Sequence, residues 1–261
     1  MNTVRDMERA LFAWAPAELA MSGDNVGQLV GDPGAPVRKI LVSLDITEAV
    51  AEEALEMGAD LIVAHHPVMN CTWEQVQSVR TDTRQGRILT ALLRGGVSAI
   101  CMHTNLDAAE GGVNDILAQR LGLENIASFT EEKIGRIGTL KSEIPLVEFT
   151  RFVVESLRCN GLRYTDCGKP VRRVAVGGGA CGDFISRAIE MGCDTFVTSD
   201  LKYHQFLDHR ELNLIDAGHF PTENGICEAI VDRLGAAFPD ITIATSRRHC
   251  REIIQYCIKE N

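Results

Sequence analysis

Short apolar runs alternate with segments of helical spacing along most of the chain. The runs typical of buried strands read KILVSLD, DLIVAHH and VSAICMH in the first half, and RRVAVGG, DTFVTSD, NLIDAGH and DITIATS in the second. The segments typical of helices read ITEAVAEEALEMG, GRILTALLRGG and VNDILAQRLGL, and later VEFTRFVVESLRC, DFISRAIEMG, HQFLDHREL and PTENGICEAIVDRLGAAF. The stretch EEKIGRIGTLKSEIPL reads as a looser connection. This alternation predicts an α/β fold of mostly parallel sheets flanked by helices.

The two halves of the chain resemble each other. EALEMGADLIVAHH (53–66) matches RAIEMGCDTFVTSD (187–200) at one offset. Met57, for example, corresponds to Met191, since 191 − 57 = 134. Further on, HTNLD (103–107) matches HFPTE (219–223) as His-x-x-x-acid, and RLG occurs in both halves in the same order. We therefore predict an internal duplication that gives two similar α/β lobes, 1–128 and 129–261.

Composition narrows the class of protein. The chain has 261 residues, 45% of them hydrophobic, and a net charge of −10, which is a poor general match for a nucleic-acid backbone. Its 9 cysteines include no CxxC pair, which favours reduced thiols in a cytoplasmic protein over a disulfide framework. The N-terminal segment looks like an amphipathic helix, and no apolar stretch is long enough to span a membrane. We expect a cytoplasmic protein with neither membrane nor general nucleic-acid binding.

Histidines end three of the predicted strands: DLIVAHH, VSAICMH and NLIDAGH. Two of these strands are followed, four residues after the histidine, by the carboxylates Asp107 and Glu223. In α/β sheets, ligands bind beyond the carboxyl ends of the strands. Histidine and carboxylate side chains are the usual nitrogen and oxygen ligands of zinc, iron, manganese or nickel, so the pattern predicts a metal site.

The adjacent pair His65 and His66 suggests more than one ion. Successive side chains of a strand point to opposite sides, so the two rings suit two metals better than one. Glu223, near the start of a predicted helix, could bridge two metals about 3.5–4 Å apart. A single histidine at a strand end is more often a hydrogen-bonded structural group than a ligand. The pair and two His-x-x-x-acid units together favour metal binding.

Several segments are similar, in order, to the NIF-three-like family, whose members also carry the name GTP cyclohydrolase 1 type 2 homologue. They read DNVGQLVGDP, SLDITEAV, LIVAHHPV, HTNLD…GGVNDILAQRLGL, SDLKYHQ and LIDAGHFPTE. The resemblance implies a two-lobed NIF-three-like fold, two divalent metal ions per chain between the lobes, and a ring-shaped homohexamer. The ligands that it implies are His65, His66, Asp107, His219 and Glu223, with Glu223 as the bridge. His103 would be a further ligand or a proton carrier.

Two further clusters carry candidate chemistry. Gly177, Gly178, Gly179 and Gly182 fit GxGxxG, with Asp200 roughly 20 residues on, as in a dinucleotide fold. The corresponding first-lobe turn lacks the glycines, so a loop whose amides hold a substrate phosphate is the better interpretation. Asp200, Lys202, Tyr203 and His204 form either a solvated turn or a set of substrate-binding or acid–base groups. Cys101 and Cys181 are expected to be simply buried.

These observations lead to two functional hypotheses. The first is a metal-dependent hydrolase in which two ions lower the pKa of a bridging water. If the resemblance extends to activity, the substrate is a small molecule and could be a nucleotide such as GTP. The reaction would then open the imidazole ring of the base. The alternative is a non-catalytic metal-binding ring protein that acts through protein partners. Fold and metals alone do not separate the two.

Overall fold

The computed structural model describes residues 2–70 and 75–257. The helices of these residues are α1 Val4–Trp14, α2 Glu48–Met57, α3 Arg84–Gly95, α4 Thr104–Ala108, α5 Val113–Arg120, α6 Leu146–Leu157, α7 Ile185–Glu190, α8 Tyr203–Asp208, α9 His219–Glu223 and α10 Gly225–Ala237. The strands are β1 Gly27–Val30, β2 Lys39–Ser43, β3 Leu61–Ala64, β4 Ser98–Cys101, β5 Glu124–Ser128, β6 Arg136–Ile144, β7 Arg163–Thr165, β8 Val171–Val176, β9 Thr195–Thr198, β10 Asn213–Asp216 and β11 Thr242–Thr245. Among the described residues, no helix combines the length and apolar character that a membrane crossing requires.

The chain forms two compact units. The first comprises Met1–Gly112 and Ile226–Cys250, and the second comprises Val113–Gly225 and Arg251–Asn261. Compared with the predicted lobes 1–128 and 129–261, residues 113–128 lie in the second unit and residues 226–250 in the first. The return of the chain to the first unit is fixed by β11, which pairs with β2 in parallel.

The first unit contains a five-stranded sheet in the order β1-β4-β3-β2-β11. Its strands β2, β3 and β4 are parallel neighbours, and β1 runs antiparallel to β4. All four residues of β3 are buried, which explains why this strand reads as a continuous apolar run. The helix α2 begins where the Thr47 side chain accepts from Val50 N, and it ends at Gly58, whose φ of 63° is left-handed. Gly58 is thus the stop signal that the sequence predicted.

The second unit contains a six-stranded sheet in the order β5-β6-β8-β9-β10-β7. Strands β8, β9 and β10 are parallel, while β7 runs antiparallel to β10 and β6 antiparallel to β8. The nine-residue β6 occupies the stretch expected to be a loose connection. Four consecutive residues at its end are partly or fully exposed, so the strand lacks the apolar run that marks the others.

The topology confirms two similar α/β lobes. Each unit has three consecutive parallel strands, with an antiparallel strand beside the third that precedes the first in sequence (β1 before β2, β7 before β8). The hydrogen bonds repeat as well. Asp60 Oδ2 accepts from the backbone N–H groups of Arg38 and Lys39, and Asp194 Oδ2 accepts from those of Arg172 and Arg173. The offset is again 194 − 60 = 134.

Strand register corrects one of the sequence matches. Ala64 pairs with Cys101, and Thr198, its equivalent at offset 134, pairs with Asp216. The third strands therefore correspond at an offset of 216 − 101 = 115, as do the first residues of α4 and α9 (219 − 104 = 115). The match of His103 with His219 is wrong by one residue, because the spacing of a motif does not fix the register of the strands.

Candidate metal centre

Three imidazoles lie together in the first unit, at the carboxyl ends of β3 and β4. His65 and His66 follow directly after β3, and His103 lies between β4 and α4. Because β3 and β4 are parallel neighbours, their ends meet at one edge of the sheet. The potential ligand atoms of the three histidines lie within 4.8 Å of one another. Asp107, in α4, places Oδ1 3.6 Å from His65 Nε2.

The rings of His65 and His66 do not diverge as the strand alternation predicted. β3 ends at Ala64, and the backbone amides of both histidines donate to the same carbonyl, that of Leu44, at 3.2 and 2.9 Å. The chain therefore bends where the alternation was expected to continue. The ring centroids are 5.0 Å apart, and each ring also lies close to that of His103, at 5.3 and 5.7 Å.

Each of these imidazoles has its Nδ1 atom next to an oxygen acceptor. His65 Nδ1 is 2.7 Å from the carbonyl of Met102, His66 Nδ1 is 2.8 Å from Asp45 Oδ1, and His103 Nδ1 is 2.9 Å from both oxygens of Asp24. A carbonyl or a carboxylate can only accept, so Nδ1 carries the proton in each ring. In the neutral rings this leaves the lone pair on Nε2, which is how metal-binding histidines are oriented in many proteins.

The supporting carboxylates are ionised. Burial opposes the charge of Asp24, but hydrogen bonds from His103 and Thr104 hold its pKa well below the usual range. Burial also opposes the charge of Asp45, whose pKa is held low by hydrogen bonds from His249 and His66. Each carboxylate is therefore a strong acceptor for an Nδ1–H group.

The second unit carries a smaller group on α9. His219 and Glu223 are one helical turn apart, with Nε2 and Oε2 at 3.1 Å, and His219 Nδ1 is 2.5 Å from Asp200 Oδ2. Although burial disfavours the charged ring, the charge of Glu223 and the hydrogen bond to Asp200 raise the pKa of His219 to about 11. The proton shared by His219 and Glu223 occupies a place between a nitrogen and an oxygen that a divalent cation could also take.

Asp200 reaches His219 from a strained backbone position. Its φ is 56°, in the left-handed region that non-glycine residues rarely adopt. It is the second residue after the end of β9. Strain of this kind often marks a functional position. In the same predicted cluster, Lys202, Tyr203 and His204 are exposed at the start of α8, with the rings of Tyr203 and His204 5.3 Å apart.

The glycine-rich turn packs against Glu223. A Cβ atom at Gly179 would overlap Glu223 Oε1, and one at Gly178 would lie 3.3 Å from Glu223 Cγ. The amides of Gly177, Gly178 and Gly179 donate to Val197 O, Asn114 Oδ1 and Thr222 Oγ1. Three of the four amides predicted to hold a phosphate are thus used within the protein, and Gly178 and Gly179 make room for the Glu223 carboxylate. A 3-10 helix starts at Gly182.

The donor set fits a divalent metal. Imidazole nitrogens and carboxylate oxygens suit zinc, iron, manganese and nickel, and the acceptors on Nδ1 direct Nε2 outward from its support. Thiolate ligation does not fit, because burial raises the pKa of the Cys101 thiol to about 12. Cys101 and Cys181 are buried, as the sequence predicted.

Sequence reasoning did not identify the supporting residues Asp24, Asp45 and His249. Asp45 ends the predicted strand KILVSLD, as His66 ends DLIVAHH, so its place at a strand end was a usable signal. Asp24 begins a segment that carried the family resemblance, but nothing local connects it with His103. His249 gave no signal, since its partner Asp45 is 204 residues away in the sequence.

Comparisons with known proteins give matches to one family. A family model described as Duf34/NIF3 (NGG1p interacting factor 3) matches residues 2–250. A Clostridium perfringens protein named GTP cyclohydrolase 1 type 2 homolog is 36% identical over 218 residues, which are 80% of this chain and 82% of that protein. A Streptomyces coelicolor protein of the same name is 32% identical over 251 residues, with 91% and 85% covered.

Solved structures share the fold. A Staphylococcus aureus hypothetical protein aligns with a TM-score of 0.88 and 26% identity over 98% of this chain and 99% of that one. A Bacillus cereus protein related to NIF3 aligns with the same TM-score and 24% identity, over 98% and 100% of the two chains.

Proposed function

The chain belongs to the Duf34/NIF3 family, and we propose that it binds two divalent metal ions and acts as a metal-dependent hydrolase. The observation that carries the proposal is the shared orientation of His65, His66, His103 and His219. All four place Nδ1 on an oxygen acceptor. Four imidazoles held in this way, each with Nδ1 on an oxygen acceptor, are an arrangement suited to metal ligation.

In this proposal, His65, His66 and Asp107 of the first unit and His219 and Glu223 of the second are ligands of one dinuclear centre, with Glu223 as the bridge. The support for joining the two groups is the resemblance of both motifs to the same family. Bound divalent ions would supply Lewis acidity and a water of lowered pKa. The chain's own contribution is orientation: Asp45 and Met102 fix the His66 and His65 rings, and Asp200 fixes His219.

His103 is a further ligand or a proton carrier in the proposal. Asp24 keeps a proton on His103 Nδ1, so Nε2 is the atom that can bind a metal or accept a proton. In the proposal, Asp200, which contacts His219 Nδ1, would orient substrate or water. The name shared by the relatives makes a purine nucleotide, with GTP first, the substrate class to test.

The family description also favours a second candidate function. The words NGG1p interacting factor 3 refer to a protein partner. In that case the metals would be structural, and the chain would act as a non-catalytic ring-forming protein. The two functions differ at the metal: a hydrolase leaves a coordination position open to water, while a structural site is closed.

Elemental analysis and a nucleotide screen test the proposal together. Protein freed of metal and reloaded in turn with zinc, iron, manganese or nickel would be incubated with GTP and other nucleotides, and the products identified by mass spectrometry. We expect about two metals per chain and a product formed only by the loaded protein. The variant His66→Ala should lose the metals and the product, while the control His209→Ala, at the histidine directly after α8, should keep them. Loaded protein with no turnover of any nucleotide and no exchangeable metal-bound water would favour the non-catalytic function.

A further inference from the structure

The residues after β11 are held firmly in the first unit. β11 is parallel to β2, with Thr245 opposite Val42, and Ser246 N donates to Val42 O at 2.7 Å. The Glu53 carboxylate, on α2, then accepts from Ser246 Oγ, Arg247 N and Arg248 N at 2.5, 2.9 and 3.2 Å. The chain is therefore fixed at three successive residues beyond the strand.

Arg248 strengthens this attachment. Its guanidinium group pairs with Glu52 and Glu56 and donates to the carbonyl of Ala49, all on α2. Exposed ion pairs contribute little one by one, but several on one rigid side chain restrict its position. The next residue, His249, is consequently delivered to a defined place, and its backbone N donates to Ser246 Oγ at 3.2 Å.

His249 and His66 share one carboxylate. His249 Nε2 is 2.8 Å from Asp45 Oδ2, and His66 Nδ1 is 2.8 Å from Asp45 Oδ1. The two imidazole side chains are only 14% and 12% exposed, whereas the Asp45 side chain is 40% exposed. With one oxygen held by each ring, the carboxylate has a single orientation. Without His249, Oδ2 would turn to water, and the plane of the carboxylate facing His66 would no longer be fixed.

We infer that His249 is a positioning residue for the metal ligand His66 and that it acts through Asp45. The inference rests on the proposed metal binding and adds a residue from the far end of the chain to it. His249 donates to Asp45, Asp45 accepts the Nδ1–H of His66, and His66 therefore presents Nε2 in a fixed direction. The orientation of His66 thus depends on the pairing of β11 with β2, because that pairing places His249.

Metal-free protein titrated with Co²⁺ tests the inference, with affinity and the visible absorption of the bound ion as readouts. His249→Phe keeps the ring but removes the donor, while His249→Gln keeps a donor at the corresponding atom. Outer-shell partners of metal-binding histidines typically contribute about 10–100-fold in affinity, and we expect His249→Phe to lose about tenfold and to change the absorption spectrum. His249→Gln should restore both readouts, and His209→Phe should leave both at the wild-type value.

Thermal unfolding of the metal-free variants separates positioning from a general loss of structure. We expect His249→Phe and His249→Gln to unfold at similar temperatures without metal and to differ only when Co²⁺ is present. Wild-type affinity and spectrum in His249→Phe would overturn the inference, as would equal weakening in the Phe and Gln variants. Wild-type protein that binds no Co²⁺ would overturn the proposed metal binding itself, a result distinct from these two.

Discussion

The Nδ1 atoms of His65, His66, His103 and His219 all face oxygen acceptors, and this detail decides how the residues can act. A ring with its proton fixed on Nδ1 has one defined nitrogen for a metal or for proton transfer. The acceptors differ: a carbonyl for His65, and carboxylates for the other three. A carboxylate makes the imidazole a stronger electron donor than a carbonyl does, so the four imidazoles differ in basicity and would not be equivalent toward a metal or a proton.

Gly179→Ala should displace Glu223 and reduce metal binding. Gly179 has a φ of 67°, and a Cβ there would overlap Glu223 Oε1. Gly192 has a similar φ of 72° but no atom within 4 Å of its Cβ position. We expect Gly192→Ala to cost about 1 kcal/mol through backbone strain alone. Gly179→Ala should cost about 1–3 kcal/mol more through overpacking. Urea unfolding and metal content measure both effects, and equal costs with full metal content would contradict the close packing.

Glu223→Gln and Asp107→Asn should differ in how many metals they lose. A bridging carboxylate serves both ions, so Glu223→Gln is expected to weaken both, and Asp107→Asn mainly one. Outer-shell partners already contribute about 10–100-fold in affinity, and loss of a ligand charge should cost at least as much. Competition titrations with a chromophoric chelator resolve the two sites. If Glu223→Gln keeps two ions at wild-type affinity, Glu223 is not the bridge.

At the scale of the elements, both lobes repeat one hydrogen-bonding pattern, in which an aspartate before one strand binds the backbone at the start of the neighbouring strand. Asp60 and Asp194 each stand just before a buried parallel strand and accept two backbone N–H groups from the start of the preceding parallel strand. Side chains repeat the pattern, since Lys39 Nζ donates to Met57 O and Arg173 Nε donates to Met191 O. This pattern fixes the register of neighbouring strands and therefore which residues reach the carboxyl edge of each sheet.

Asp194→Ala should destabilise the protein more than Asp60→Ala. Both substitutions leave two N–H groups without their acceptor, at a cost of about 1–3 kcal/mol when the groups are buried. The N–H groups at Arg172 and Arg173 are partly buried, whereas that of Arg38 is exposed and can bind water instead. Chemical unfolding measures the difference. The exposed Asp208→Ala is the control, with an expected change within about 0.5 kcal/mol. A larger loss for Asp60→Ala would contradict the argument from burial.

At the scale of the whole molecule, the chain is acidic and carries exposed apolar side chains. The net charge of −10 favours solubility and disfavours general binding to nucleic acids. The family resemblance implies a closed ring of six chains, which would bury part of the exposed apolar surface that each chain carries. Exposed apolar side chains include Tyr203, Leu207 and Ile253.

Light scattering after size-exclusion chromatography tests the assembly. The chain mass is 28.6 kDa, so a hexamer should have a mass of about 172 kDa at micromolar concentration. The measurement should be made with and without metal. A metal that binds only the folded chain stabilises the folded state by mass action, and the folded state is the one that assembles. A single species of chain mass in both conditions would contradict the ring.

The sequence by itself determined the class of fold, most of the elements and the residue types of the candidate site. Buried parallel strands are apolar along their whole length, so LIVA and SAIC marked β3 and β4. The histidines that follow them, His65, His66 and His103, predicted a ligand site at the carboxyl edge of the sheet. The duplication was visible because both lobes have a glycine and an aspartate at the turn before the second parallel strand, Gly58 and Asp60 in the first and Gly192 and Asp194 in the second. The strand β6 was missed, since three of its nine residues are exposed and two more are partly exposed, so this antiparallel strand has no such run.

Only the tertiary structure decided the orientation of the site. Alternation along a strand predicted diverging rings for His65 and His66, but the strand ends at Ala64 and both backbone amides donate to Leu44 O. The potential ligand atoms of the two rings lie within 4.8 Å of each other. The supports Asp24 and His249 are 79 and 204 residues from the groups that they contact. Periodicity reports on neighbours within a few residues, whereas these contacts arise from strand pairing, which brings distant segments together and leaves no local trace in the sequence.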